Sequence, residues 1–256
     1  LLVTIGFVYQ YKVYGALLAM VISQSITFFI IAFFVRKQAW FKLNNFFGKF
    51  DKYYFNKLLG FTAMSLTSMC VIPTSQMFVR GYLADHTSWN VAGCWQGMQK
   101  ISDAYLMIVY TALGTYFLPK LANLQDKNQI SKEINNGYKL IMPFVICSAI
   151  IIYFMRDFVI HLLFAKSFGA MRDMFFWQLI GDCFKLASWI LAYLMLARAK
   201  TKLFMLTEII FGISFLLLSY LFINLIGANG AVMAFALNYM IYFVIFVVLY
   251  KKGYLF

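Results

Sequence analysis

An apolar stretch at 95–106, WQGMQKISDAYL, contains a base and an acid that could bind a charged ligand. At 100° per residue, Gln96, Lys100 and Asp103 fall within an arc of roughly 60° on a helix. A charge at membrane depth is costly and survives where it faces a protein interior or a watery path. The pattern therefore predicts the wall of a polar cavity. The alternative is a buried Lys100–Asp103 pair that only joins two helices.

The same chemical order recurs in the apolar run at 173–196. Gln178, Asp182, Lys185 and Trp189 again fall within roughly 60° on a helix. In both runs a glutamine is followed after four residues by an ionisable group, and after three more by a group of opposite charge. We therefore expect a second helix with one polar stripe on an apolar rod.

A third apolar run, at 58–80, also carries polar groups. Those on one side are Ser65, Ser68, Gln76 and Arg80. Glu208 is the only acidic residue in a further run at 203–225. Serine and glutamine also join packed membrane helices, so helix packing is the alternative role for the two serines. Three helices with inward bases and amides nevertheless predict a shared polar cavity.

The residue types in this cavity suit an anionic or amphiphilic solute. Lysine and arginine pair with phosphate or pyrophosphate through charge-assisted hydrogen bonds. Amides, hydroxyls and aromatic rings suit sugar hydroxyls and sugar ring faces. Asp103, Asp182 and Glu208 could neutralise the bases or take up a coupling proton or cation. These residues by themselves indicate a transporter.

The elements that hold these residues are predicted to be membrane-spanning helices. Hydrophobic residues make up 63% of the 256, charged residues 12%, and mean hydropathy is +0.79. Backbone groups in lipid must pair within their own segment, so such spans are helices. We predict spans at 14–35, 58–80, 91–118, 140–156, 173–196, 203–225 and 229–250. Residues 1–9 resemble the end of an earlier helix, and the chain is expected to be N-terminally incomplete.

Basic residues predict the orientation of the helices. Most of the 22 Lys and Arg residues lie in or beside 36–57, 120–139, 198–202 and 251–252. By the positive-inside rule these segments and the C-terminus are cytoplasmic. The net charge of +13 is thus explained by topology and anionic lipid, and no nucleic-acid partner is expected.

The spacing of the four cysteines and two histidines does not indicate a metal site. The cysteines are expected to be small buried hydrophobes. No metal, cofactor or catalytic residue is predicted.

Several segments together resemble one known family. They are GALLAMVISQSITFF at 15–29, PTSQMFVRGYL at 73–83, HTSWNVAG at 86–93, WQGMQKISDAYL at 95–106 and TALGTYFLPKLANL at 111–124. These are similar to the Wzx-type flippases of bacterial polysaccharide synthesis, above all the O-antigen and enterobacterial common antigen translocases. Those flippases belong to the multidrug/oligosaccharidyl-lipid/polysaccharide exporter superfamily.

The resemblance implies a fold and a division into domains. The family has twelve helices in two six-helix bundles around a cationic cavity. By this correspondence the chain is an all-α polytopic membrane protein, from the end of helix five through helix twelve. Residues 1–35 would end the N-terminal bundle, 36–57 would form a basic and aromatic cytoplasmic linker, and 58–256 would form the C-terminal bundle.

The resemblance also implies a function. The protein would move undecaprenyl-pyrophosphate-linked oligosaccharide from the cytoplasmic to the periplasmic leaflet of the bacterial inner membrane, without being an enzyme. The substrate-binding candidates are Arg80, Gln96, Lys100, Gln178 and Lys185. Asp103, Asp182 and Glu208 would serve charge balance or ion coupling. Membrane lipids, a polysaccharide polymerase and chain-length machinery are the implied partners.

Two alternatives stay open. A drug or cation antiporter of the same superfamily would favour a cavity led by carboxylates and aromatics. A membrane polymerase or lipid-linked glycosyltransferase would be expected to show a large external loop or a soluble domain with paired carboxylates. The sequence shows neither a large external loop nor a soluble domain of this kind.

Overall fold

The structure, a computed structural model, describes residues 2–38, 41 and 51–256. Its α-helices are α1 Leu2–Arg36, α2 Lys52–His86, α3 Trp89–Ala112, α4 Leu118–Asn123, α5 Lys127–Phe154, α6 Arg156–Leu163, α7 Phe175–Ala197, α8 Thr201–Ile226 and α9 Ala228–Lys251. A π-helical segment, Leu113–Phe117, joins α3 to α4, and a 3-10 segment, Lys166–Met174, precedes α7. The described residues contain no strand.

Seven helical segments among the described residues are long and apolar enough to cross a membrane. They are Tyr9–Arg36, Lys52–His86, Trp89–Asn123, Lys127–Phe154, Ser167–Ala197, Thr201–Ile226 and Ala228–Lys251. Lys12 has non-helical backbone angles (φ 50°, ψ −123°) that divide α1 into a short and a long segment. This division matches the predicted partial helix followed by a complete one. The prediction of a multi-pass, all-α membrane protein is confirmed.

Some predicted helix bounds were too short. The span predicted at 140–156 belongs to α5, which begins at Lys127. Asp126 caps it, because its side chain accepts a hydrogen bond from the Gln129 amide at 3.2 Å. The polar residues after this cap form the first turns of the helix, so hydropathy alone missed its beginning.

The chain divides into two compact units, Leu1–Phe55 and Asn56–Phe256. The first unit contains α1. Half of the linker predicted at 36–57 lies outside the described residues, and α2 begins at Lys52, inside the predicted range. The second unit contains α2 from Asn56 onward, the helices α3 to α9 and every residue proposed for the site.

The second unit has two apolar clusters, with a polar layer between them. In α3, Met98 belongs to one cluster and Leu106 to the other. Between them in the sequence lie Gln99 and Ser102, which are also buried. In α7, Asp182 has the same position between Leu179 of the first cluster and Leu186 of the second. This polar layer crosses the interior of the bundle away from both helix ends.

Close packing of α7 against α9 brings α9 up to this layer. A Cβ added to Gly181 would collide with the Phe235 ring and lie 3.1 Å from the Ala236 Cα. Glycine at position 181 therefore lets the two backbones approach, as small residues do at membrane-helix interfaces. The next residue along α7 is Asp182.

Candidate functional site

The centre of the polar layer is a hydrogen-bond network between α3 and α7. The Asp182 carboxylate accepts from Ser102 Oγ at 2.6 Å and from Tyr105 OH at 2.8 Å. Gln178 Nε2 donates to the other carboxylate oxygen, Oδ1, and to Ser102 Oγ, each at 3.2 Å. Gln99 Nε2 donates to Gln178 Oε1 at 3.1 Å. Every member of this network thus has a hydrogen-bonding partner on the facing helix.

Helical spacing explains why these side chains meet. Gln99, Ser102 and Tyr105 are separated by three residues each and follow one stripe of α3. Gln178 and Asp182 are four residues apart on the facing stripe of α7. Both α7 side chains are fully buried. Because buried polar groups are costly unless paired, a fully paired network of this kind fixes the register of the two helices.

Lys185, one turn further along α7, lies among aromatic rings. Its Nζ is 5.4 Å from the Trp189 ring centroid and 5.5 Å from that of Tyr110. The centroids of Phe235 and Tyr239 are each 5.9 Å away. We call these four rings the Lys185 cage. An ammonium within about 6 Å of a ring centroid is attracted by the ring's negative face, so the cage holds the charge in an otherwise apolar setting.

A cavity of about 70 Å³ lies beside the cage. Its polar lining is contributed by Gln76, Gln99, Glu208, Asn238, Tyr239 and Tyr242, among others. Ser68 Oγ donates to the Glu208 carboxylate at 3.2 Å, which joins α2 to α8. The Asn238 Oδ1 is buried and has no partner among the described residues. This volume can hold several water molecules, and its carboxylate, amides and phenols suit a proton or a small cation.

Lys100 and Asp103 lie on the surface of the described structure. Their side chains are 71% and 52% exposed, and Lys100 Nζ is 3.7 Å from the Asp103 carboxylate. The pair is therefore not buried, which contradicts the alternative of a buried pair joining two helices. Gln96 is half-buried, and Arg80 is exposed on α2. The two predicted stripes do not form one cavity wall, because the α7 stripe is buried while Lys100 and Asp103 point outward.

The sequence analysis did not single out the three α3 residues of this network. They are Gln99, Ser102 and Tyr105, whose side chains bind Gln178 and Asp182. The signal that could have found them is the repeat of hydrogen-bonding side chains at every third position, opposite Gln178 and Asp182 on α7.

The cysteines also differ from the prediction. Cys94 is buried and Cys183 is half-buried, but Cys70 and Cys147 are exposed on the surface of the chain. A small apolar thiol is compatible with lipid as well as with a core, which explains why burial was overestimated. In the part of the chain that the structure describes, no three His, Cys, Asp or Glu side chains come together as a metal site.

The chain is similar to two curated flippases. It is 32% identical over 229 residues to the lipid III flippases of Escherichia coli (strain K12) and Shigella flexneri. The match covers 90% of this chain and 55% of each relative, so the chain spans about half the length of these relatives. No protein-family model matches it.

The fold agrees with this similarity. The structure of the Vibrio cholerae MATE transporter VcmN in its bent form aligns with a TM-score of 0.56 at 15% identity. The alignment covers 77% of this chain and 46% of the transporter. In sequence the chain is therefore similar to lipid III flippases, and in fold it is similar to a MATE transporter.

Proposed function

We propose that the protein containing this chain is a flippase for undecaprenyl-pyrophosphate-linked oligosaccharide, of the kind used for O-antigen or related surface polysaccharide. The observation that carries this proposal is the 32% identity to lipid III flippases over 90% of the chain. Transport would run from the cytoplasmic to the periplasmic leaflet of the bacterial inner membrane. The C-terminus would be cytoplasmic, and a polymerase with its chain-length machinery would use the product.

Lys100 is the strongest candidate for contact with the pyrophosphate. It is 71% exposed, and its partner Asp103 lies at the long distance of 3.7 Å. An exposed ion pair contributes only about 0–1 kcal/mol, so a doubly charged phosphate group can compete with the aspartate. Arg80 and Gln96, which are at least partly exposed, would add contacts. Asp103 would balance the charge of Lys100 between transport cycles.

Lys185 would act deeper in the bundle than Lys100. The Lys185 cage stabilises the ammonium, because cation–π attraction increases when the charge is desolvated. An anionic head group that reached this depth would find a charged lysine and aromatic faces suited to sugar rings. Gln178 would meet the head group only if the network between α3 and α7 opened, since it is fully buried in this conformation.

Asp182 and Glu208 are proposed to serve charge balance or ion coupling. Asp182 is the acceptor of the buried network, and Glu208 borders the cavity with Asn238. Acids inside membrane bundles recur in proton and cation pathways. Movement of one helix bundle against the other would then expose the bound head group to each side in turn. We propose residues 1–35 and 58–256 as parts of these two bundles, joined by 36–57.

A drug or cation antiporter is the second candidate function. The observation that favours it is the cavity, whose lining combines the Glu208 carboxylate with Trp189, Tyr239 and Tyr242. Glu208→Gln in the intact protein would then abolish drug or cation efflux, whereas Lys100→Ala would have little effect on it. Loss of surface polysaccharide in Lys100→Ala with no change in efflux would support the flippase.

The deciding experiment uses the intact protein in a bacterial strain that lacks its lipid-linked oligosaccharide flippase. Lys100→Ala, Asp103→Ala and the double variant would be compared for surface polysaccharide and for protein level in the membrane. Contact with cargo predicts normal protein levels in all three variants, with activity lost in Lys100→Ala and in the double variant. Lys100→Arg should retain more activity because it keeps the charge.

Two results would count against this site. Normal surface polysaccharide in Lys100→Ala would remove Lys100 from cargo binding. Recovery of both protein level and activity in the double variant would mean that Lys100 and Asp103 serve only to neutralise each other, since the variant without either charge would then need no lysine for transport.

A further inference from the structure

A groove lies on the surface of the bundle between α5 and α7. It has a volume of about 250 Å³ and is lined entirely by apolar surface. The main lining residues are Ile146, Ile150, Tyr153, Phe154, Leu179 and Ile180. The groove shares no lining residue with the cavity at Glu208. It is therefore a separate feature from the proposed transport site.

The length of the groove matches one leaflet of a membrane. Along α5 it extends from Ile146 to Phe154, a distance of eight residue steps or about 12 Å at 1.5 Å per residue. Half of a hydrocarbon core of about 30 Å is about 15 Å. The groove ends where α5 ends, at Phe154. It thus extends from one end of the bundle towards the middle of the membrane.

The short helix α6 marks this end of the bundle as the level of the lipid head groups. Phe158, Leu162 and Leu163 of α6 are exposed. The same helix carries Asp157 and His161, which are also exposed. A short helix with exposed apolar side chains and a charged end is typical of a segment that lies in the membrane interface.

Arg156 stands at the end of the groove with an incompletely paired guanidinium. Its Cζ is 4.4 Å from the ring centroid of Tyr153, a groove residue, and its Nη1 donates to the Tyr153 carbonyl at 3.1 Å. Its Nε is buried and has no partner in the described part of the chain. The adjacent acid, Asp157, is paired with Arg172 at 2.8 Å. The Arg156 side chain is only partly buried, and no acidic side chain in the described part of the chain pairs with it. Its charge is therefore available to an anion, and a phosphate is the group that guanidinium binds well.

We propose that the groove binds one phospholipid of the adjacent leaflet, with an acyl chain between α5 and α7 and the phosphate on Arg156. A basic residue at head-group level above an apolar groove of leaflet depth has the shape and charge of such a lipid. The proposal depends on the chain crossing a membrane and not on the proposed flippase activity. It assigns a bound lipid to a face distinct from that of Lys100.

The test is photocrosslinking of the intact protein in vesicles that contain a small fraction of phosphatidylglycerol with a diazirine in its acyl chain. Peptide mapping should place the crosslinks mainly on the groove segments 146–154 and 176–183. Arg156→Gln should lower groove labelling about tenfold, as expected for one lost charge-assisted hydrogen bond. Ile150→Trp, at a half-exposed groove position, should lower it by filling the groove.

The matched control is Leu217→Trp on α8, at an exposed position outside the groove. It should leave groove labelling unchanged. Uniform labelling of all exposed helix faces, or groove labelling that neither groove variant lowers, would overturn the proposal. A parallel sample with a photoreactive polyprenyl phosphate identifies the occupant. Stronger groove labelling by this probe than by phosphatidylglycerol would make the groove a cargo site and would also overturn the phospholipid assignment.

Discussion

Replacing Asp182 by alanine tests the buried network most directly. The carboxylate accepts hydrogen bonds from Ser102, Tyr105 and Gln178. Hydrogen bonds between membrane helices contribute about 0.6 kcal/mol on average and at most about 1.7 kcal/mol. Two of the three bonds come from α3, and the third, from Gln178, lies within α7. If all three have similar strength, their loss should lower the free energy of unfolding by about 2 kcal/mol, with an upper limit of about 5 kcal/mol. The upper part of this range applies if the released donors stay buried and unpaired.

The assay is reversible unfolding of the intact protein in lipid–detergent bicelles, with the wild type measured alongside. Asp103→Ala is the matched control, because it removes the same carboxylate from an exposed position on α3. It should change the free energy of unfolding by less than about 1 kcal/mol. Asp182→Asn should lie between the wild type and Asp182→Ala, since the amide keeps the shape and one acceptor oxygen.

The reasoning would be refuted if Asp182→Ala were no less stable than Asp103→Ala. In that case the two bonds from Ser102 and Tyr105 to Asp182 would not hold α3 against α7. A loss of transport in Asp182→Ala at unchanged stability would instead assign the carboxylate to ion coupling.

Three further predictions concern other parts of the chain. Gly181→Ala should lower the protein level in the membrane, because the added methyl would collide with the Phe235 ring. Gly93→Ala is the control and should leave the protein level unchanged, because a Cβ at position 93 meets no atom within 4 Å. Lys185→Gln should reduce transport more than it reduces protein level. Trp189→Leu should also reduce transport, because the cage loses its best cation–π ring. Normal transport in both variants would show that the cage is not part of the transport pathway. Single cysteines placed beside Lys127 and Lys200 should resist an impermeant maleimide added outside intact cells, and ready labelling would reverse the proposed orientation.

The helical, membrane-spanning class of this chain could be predicted from its sequence because hydropathy is set locally. A run of about 20 apolar residues has no other stable structure in lipid than a helix. The break at Lys12 was also visible, because residues 1–9 and 14–35 were separated by polar sequence. The resemblance to lipid-linked oligosaccharide flippases followed from the segments around 73–124, and the similarity to lipid III flippases agrees with it. These conclusions need no knowledge of which helices are neighbours.

The polar stripe of α7 was correctly found, but its environment was not. Helical periodicity shows that Gln178 and Asp182 share a face, and it does not show what that face meets. Only the packed structure shows that they meet Gln99, Ser102 and Tyr105 rather than an open cavity. The aromatic rings around Lys185 come from α3, α7 and α9, so no local pattern could have assembled the Lys185 cage.

The direction of the α3 stripe was decided by tertiary packing. In a water-soluble helix, charged residues mark the outer face, because water solvates them and the core excludes them. In a membrane bundle the lipid is as apolar as the interior, so hydropathy carries no contrast between the two sides. The sequence therefore determined that Lys100 and Asp103 share a face. The packing of α3 against α7 decided that this face is exposed, while Ser102, one position from Asp103, lies buried against Asp182.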